Sequence, residues 1–577
     1  MTAKYIAIPI NCLKTFILWT VTAVLSTGVV AQNNDAAEFM VLLTNARKFS
    51  AEKKWKDAVT AWEKVKERNP VNGEYYAHLG SAYYNNAQYQ QSIEAYKKQI
   101  ELRFGLLANA AYNIACSYAL AGEKEPAIEW LDKAFQMGFR SYTHAQADTD
   151  LKILQGDPRF VKILALEDVS KMSRVQGWQY DMEVLKKEVM RKAYLRRDLS
   201  MEAFNKQYDQ LYNSIDKFTD VQMVMQLMKL MVNVGDGHSS VFPPSRKEFM
   251  LTAPVQYYFF KEGLYIVAAD PKYRHLVGSK VLAFENKTVD EVSKTLSPFI
   301  TRDNEMGVLQ NLPSVMRHTP ALHELGLTAD PGKVVLKLQD VSGKETTATI
   351  TADTSVVRVD HKSVPDKWVK LYEVAGKPVP LYLKNLKALY WFEKLPGTKT
   401  VYFQWNSVRN DKNIPLTQFT DNLMKYINEN DVEKLVIDLR WNNGGNTMLL
   451  PYFINSIIKN EKINQRGNLF VITGRRTFSA AQNLATYLEK QTNATFVGEP
   501  TGSSPNFVGE EDFITLPYSK LAMNVSDWFW QSSWPWDNRT WIAPTIYVPP
   551  TFKAYSANTD EALETIRSFI MEGKKGF

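Results

Sequence analysis

Ser479 stands in the stretch RTFSAAQNL (476–484), a lone serine followed by small residues. A serine hydroxyl is a weak nucleophile and needs an adjacent base. It also needs backbone donors for the oxyanion of a tetrahedral intermediate. At a strand-to-helix turn Ser479 would offer its hydroxyl while the N–H of Ala480 faces the developing charge. The same letters carry a second reading. Ser479-x-x-Gln482 is a capping box, with the serine hydroxyl on the N–H of Gln482 and the glutamine reaching back. A hydroxyl locked in that cap is a poor nucleophile, and a free one facing a base is a good one. The base candidate is His238. Of the histidines at 78, 144, 238, 275, 318, 323 and 361, His238 is the one in an Asp-Gly-His turn after a helical pattern, VGDGHSSVFPP (234–244). Its ordinary pKa near ~6.5 suits general-base work. Asp236 reads as shaping that turn, with Ser239 and Ser240 as hydrogen-bond partners. Gly444 and Gly445, in DLRWNNGGN (438–446), can approach a substrate closely because they have no side chain.

The elements that must position these residues are legible as patterns. From about 395 strand and helix alternate: TVYFQW (400–405), FTDNLMKYINEN (419–430), KLVIDLRW (434–441), LFVITG (469–474) and ATFVGEP (494–500). Continuous apolar runs predict strands buried on both faces, hence an α/β core with a partly parallel sheet. Ligands of such sheets sit beyond the carboxyl ends of the strands. The NNGG stretch follows one such end and Ser479 the next. Upstream, 175–234 is helical, with apolar residues three and four apart. Its methionine run at 223–231 reads as the core stripe of a helix, with an adaptable binding face as the alternative. Between lie short alternating strands such as GLYIVAA (263–269), and LVGSKVLAFENKTVDEV (276–292) reads as strand, turn and helix start.

The N-terminal part repeats. Ala58, Ser92 and Ala127 are spaced by 34 and 35 residues, with Trp62, Tyr96 and Leu131 four residues after each. Ala46, Gly80 and Ala115 keep nearly the same phase, followed at three residues by Phe49, Tyr83 and Tyr118. Small residues where helices cross, with aromatics beside them at this period, resemble tetratricopeptide repeats, three of them over about 39–141. Stacked helix pairs of that kind make a concave surface for a protein partner. GDPRF (156–160) reads as a turn closing the array.

FILWTVTAVLSTGVV (16–30), preceded by an n-region flanked by Lys4 and Lys14 and running into Val29-x-Ala31, has the form of a signal peptide cleaved before Gln32. The apolar run is short for a membrane span, so no stable membrane span is expected. Removal of that segment takes Cys12 with it and leaves Cys116, which excludes an intramolecular disulfide and a cysteine metal site. An exported chain without disulfides fits a periplasm or cell surface. A formal charge of +7, with no long Lys/Arg block, argues against a nucleic-acid function.

Taken in order, GDGHSS, DLRWNNGG, RTFSAAQN and VGEPTGSS (497–504) resemble the tail-specific, C-terminal-processing and tricorn-type serine peptidases. The resemblance covers roughly 175–560. It implies a crotonase-like α/β core and hydrolysis of peptide bonds with no cofactor and no metal; separately, LVGSKVLAFENKTVDEV (276–292) resembles the part of a PDZ domain that follows its ligand groove, with a plain β-rich insert as the alternative. The peptidase resemblance implies Ser479 as nucleophile, His238 as base, and an oxyanion hole joining Gly444 or Gly445 to Ala480. One branch of the family uses a lysine about 25 residues after the serine; here that place holds Ser504, and Lys520 lies in a segment that does not match. That departure favours a histidine base. The family's orienting acid falls, after a one-residue slip, on Asp537 in WPWDNRTWIAPTIYV (534–548). Glu499 is a second acid, read as structural.

The expected organisation is a signal peptide (1–31), tetratricopeptide repeats (39–141), a linker (142–174), a helical N-terminal part of the peptidase region (175–245), a β-rich PDZ-like part (250–360) and the α/β peptidase core (395–570). The expected partners are a peptide or protein substrate and a protein held by the repeats. The alternative is a binding module on a peptidase-like fold that has lost its chemistry. The aromatics at Trp528, Phe529, Trp530, Trp534, Trp536 and Trp541 read as apolar cover over the core, with sugar stacking as a weaker reading.

Overall fold

The computed structural model describes residues 35–139, 141–164, 168–193, 201–244, 246–356, 359–510 and 513–569. The signal-peptide segment lies outside them. The chain divides into two compact units, at 168/169.

The first unit is helical. A helix over 35–51 precedes Trp55–Arg68, Gly73–Asn85, Tyr89–Glu101, Leu107–Leu120 and Lys124–Gln136. Ala46, Ala58, Ser92, Ala115 and Ala127 are fully buried, as are Trp62 and Leu131. Their small size lets the helices close. At Gly80 an added Cβ would stand 2.9 Å from the Tyr96 ring, and the Gly80 carbonyl instead accepts the Ser92 hydroxyl at 2.9 Å. The expected linker is, over most of its length, part of this unit. Helix Tyr142–Ala147, the 3-10 turn Thr149–Leu154 and helix Pro158–Ile163 bury Ala145, Leu151, Leu154 and Phe160 against Ala111, Leu131 and Phe135. Asp157 caps the last of these helices, accepting the N–H of Arg159 at 2.8 Å. The apolar spacing after 142 is too short to signal a helix, yet it covers the open end of the array.

The second unit is mixed α/β. Its six-stranded sheet runs in the order Ile546–Tyr547, Thr495–Gly498, Leu469–Thr473, Lys434–Asp438, Thr400–Trp405, Tyr390–Lys394. All neighbours are parallel except the last pair. The central strands are buried on both faces. Helices Leu416–Glu429, Leu450–Lys459 and Ala480–Gln491 supply one layer of core, through Leu423, Phe453 and Leu484. A second, antiparallel sheet contains Val255–Phe260, Gly263–Ala269, Lys280–Phe284, Lys333–Gln339 and Glu345–Thr351 in that order, with a core of its own around Phe284 and Leu336. A third core joins helices Arg174–Ala193, Met201–Tyr212 and Asp220–Val232 to Leu516, Leu521 and Met523. There the antiparallel pairing of Ser240–Phe242 with Ala522–Asn524 brings the turn after the methionine helix to the C-terminal part of the chain.

Candidate active site

Strand Leu469–Thr473 ends in a tight turn before helix Ala480–Gln491. Thr477 ties that turn to the neighbouring strand end. Its hydroxyl donates to the Leu439 carbonyl at 3.0 Å and accepts the N–H of Gly474 at 3.1 Å. The N–H of Phe478 donates to the Asn442 carbonyl at 3.3 Å. Ser479 then sits at φ 56°, ψ −128°, a conformation that costs an L-residue of order 1–3 kcal/mol and persists only where its surroundings impose it. Ser479 occupies the N-cap position but makes no side-chain cap hydrogen bond. The capping box does not form, because Gln482 is buried and bonds forward to Thr486 at 3.3 Å. The serine is half-buried, and the helix presents its first N–H groups and positive dipole end at the serine's position.

The loop after strand Lys434–Asp438 presses on this turn. Gly444 (φ +106°) leaves no room for a side chain: a Cβ there would stand 2.7 Å from Ser479 Cβ and 2.8 Å from Ala480 N. At Gly445 (φ +143°) it would stand 2.1 Å from the Val408 carbonyl oxygen. The N–H of Gly444 is spent on Asn442 Oδ1 at 2.9 Å, and its carbonyl on the N–H of Val408 at 2.9 Å. Gly445 is exposed, and flanking bonds at Gly444 and Asn446 anchor it to Val408. Of the two glycines, Gly445 is the one whose amide is turned away from those anchors.

His238 follows a turn built by Asp236, whose Oδ1 accepts the N–H groups of His238 at 2.8 Å and Ser239 at 2.5 Å. Asp236 Oδ2 accepts the Ser239 hydroxyl at 2.8 Å. Asn524 grips the far side. Its amide donates to the His238 carbonyl at 2.6 Å, and its oxygen accepts the N–H of Ser240 at 2.9 Å. The imidazole is buried and stacked on Phe478 at 4.4 Å and on Phe507 at 5.5 Å. Burial pushes its pKa down to about 4, against the opposing pull of the Asp236 carboxylate. Neither ring nitrogen makes a hydrogen bond of good geometry; the backbone of Val508 approaches the ring as a weak partner that, like Asp236, favours the charged form. His238 thus touches the residue before Ser479 without bonding to the serine hydroxyl.

Asp537 does not orient this imidazole. Its carboxylate accepts from Arg539 Nε at 2.9 Å and from the Ser533 hydroxyl at 2.6 Å, and Arg539 holds it well below the usual carboxylate range. Glu499 is likewise committed, to Arg475 at 2.6 Å in a buried pair beneath the serine turn. Most of the aromatic segment is not cover. Trp528, Phe529, Trp534 and Trp536 face solvent, Trp536 at 72% exposure, while Trp530 and Trp541 are half-buried. The methionine helix has two apolar faces. Met223 and Met231 lie in the helical core, while Met225 and Met228 line a cleft of about 810 Å³ that reaches Asn443, Arg476 and Phe478 beside the serine.

Sequence reasoning misses Asp303 and Asn304. Asp303 accepts the N–H of Gly237 at 2.7 Å, and Asn304 donates to the carbonyls of Thr501 at 3.1 Å and Thr540 at 2.6 Å. The only local signal is the Asp-Asn pair ahead of helix Glu305–Val315, which reads as a cap. Among the described residues no group of three or more His, Cys, Asp or Glu is placed to hold a metal ion. None of the described helices is long and apolar enough to cross a membrane.

Residues 73–105 match the tetratricopeptide repeat family model. Comparison with curated protein sequences finds no match. Among solved structures the chain is similar to mature CPAF complexed with lactacystin, at 12% identity over 68% of this chain and 97% of that one, with a TM-score of 0.48. It is similar to the photosystem II D1 C-terminal processing protease at 12% identity, over 67% and 97% of the two chains, TM-score 0.32. The tricorn protease is matched at 11% identity over 68% of this chain and 36% of that one, TM-score 0.30.

Proposed function

We propose that this chain is an exported serine peptidase acting through Ser479 and His238, with the repeats recruiting a protein. The observation that carries the reading is the uncapped Ser479 hydroxyl, held at positive φ where a strand meets a helix N-terminus. In the proposed reaction Ser479 Oγ attacks the peptide carbonyl and its proton passes to neutral His238. The amides of Ala480 and Gly445 receive the oxyanion, since that of Gly444 is engaged by Asn442. His238 returns the proton to the departing amine, and water, activated by the same imidazole, hydrolyses the acyl-serine. The imidazole must first turn toward the serine, because it stacks on Phe478 and makes no hydrogen bond to the serine hydroxyl. In this reading the antiparallel sheet is the PDZ-like part and the six-stranded sheet the crotonase-like core. Export rests on the sequence of residues 1–31.

The test is reaction of purified mature protein with a fluorophosphonate probe, read by intact mass beside Ser479→Ala and His238→Ala. The reading expects labelling that needs both residues. A folded wild type that does not label would sink it. The second reading, a binding module without chemistry, is favoured by one observation: no hydrogen bond joins the imidazole to the serine hydroxyl.

A further inference from the structure

Three consecutive backbone N–H groups beside the candidate base end on carboxylates. Asp236 takes those of His238 and Ser239, and Asp303 Oδ1 takes that of Gly237 at 2.7 Å across 66 residues. The other carboxylate oxygen of Asp303 accepts the hydroxyl of Ser503, 200 residues further on. The neighbouring Gly502 donates its N–H to the carbonyl of Thr477 at 3.0 Å, two residues before Ser479. The path from base to nucleophile is therefore continuous: the Gly237 turn, Asp303, Ser503, Gly502, Thr477. Gly237 is wedged inside it. A Cβ there would stand 3.0 Å from Phe478 Cε2 and 3.1 Å from both the backbone N and Oδ1 of Asp303. Asn304 fixes the same strap from behind through Thr501 and Thr540.

No well-formed hydrogen bond holds the imidazole, and the backbone of Val508 gives it only a weak polar contact. Its place is set by the rings it stacks on and by the backbone turn that carries it. A displacement of about 1 Å at a reacting pair can cost on the order of a hundredfold in rate. We propose that Asp303 is a positioning residue, which sets the separation of the His238 turn from the Ser479 turn by bonding both sides of the gap. The proposal rests on the Ser–His reading.

It is tested on the full mature chain by the saturation kinetics of fluorophosphonate labelling, which separates probe binding from the maximal rate, with the melting midpoint measured alongside. Asp303→Ala is expected to lower the maximal rate roughly ten- to a hundredfold with probe binding unchanged. Asp303→Asn can still accept from Gly237 through its amide oxygen and donate to Ser503 Oγ, so it should stay within a few-fold of wild type. Ser503→Ala added to Asp303→Ala should cause no further loss, because the two residues act in one path. Three results would overturn the proposal. One is wild-type rates in Asp303→Ala. Another is an equal loss in Asp303→Asn, which would point to charge and not position. The third is an equal loss in Phe284→Leu, a core truncation in the antiparallel sheet, at a matched fall in melting midpoint. Wild-type protein that does not label removes the Ser–His reading and this proposal together, whereas labelling undiminished in Asp303→Ala removes the proposal alone.

Discussion

The ring of Phe478 is stacked on that of His238, with centroids 4.4 Å and planes 24° apart. The residue just before the candidate nucleophile is therefore the surface on which its candidate base rests. Phe478→Ala should free the imidazole, lose an aromatic contact of about 0.5–1.5 kcal/mol and change the labelling rate of Ser479. Unchanged kinetics would show that Phe507 and the backbone of Val508 hold the ring without it.

Gly444→Ala should abolish labelling and destabilise the fold by about 1–3 kcal/mol. Its φ is +106°, and the new methyl would meet Ser479 Cβ at 2.7 Å. Urea unfolding and probe reaction on the same sample check both parts. A reactive, equally stable alanine variant would contradict the packing described.

Acid should destabilise the second unit through its buried histidines. Burial pushes His238 down to about 4 and His361 to about 3. Below the unfolded value of ~6.5 the unfolded chain binds protons that the folded chain refuses, so stability falls as pH falls from there toward the folded values, at up to ~1.4 kcal/mol per pH unit for each group. His361 is bonded to Gln256 and Tyr555 at 3.3 Å each and is not assigned to the chemistry. His361→Gln should flatten the acid limb of an unfolding series. An unaltered limb would mean that other groups set it.

Much of the frame is legible in the sequence. The runs KLVID and LFVIT are buried strands because every residue in them is apolar or spaced to be covered. The alanines of the repeats are recognisable because only small residues fit where helices cross. Asn524 and Asp303 are not legible. Each is an ordinary polar residue whose role comes from a segment 286 or 66 residues away, and nothing nearby marks the pairing. The tryptophans mislead for a related reason. An apolar run reads as core whether the segment that carries it faces inward or, as for most of this one, outward.

Asp537→Asn should leave labelling unchanged and cost about 1 kcal/mol or less, since its ion pair with Arg539 is partly exposed. A collapse of reactivity would restore Asp537 as the acid that orients the base.

Arg475→Met should cost roughly 3–5 kcal/mol by stranding the buried Glu499 carboxylate. The double variant with Glu499→Gln should regain part of that, and denaturant unfolding of the three proteins gives the comparison. An additive loss would mean that the pair is not coupled.

The grip of Asn524 on the His238 turn also bears on when the chain gains its site. The two residues are 286 apart in sequence. At a synthesis rate of about 5–20 residues per second, the segment that closes this turn is made roughly 15–60 s after the turn itself. Throughout that interval the growing polypeptide carries a candidate base with no strand to lean on. On the Ser–His reading, reactivity would wait until the serine, its loops and the closing strand have all been made, so the half-built chain would carry no assembled centre.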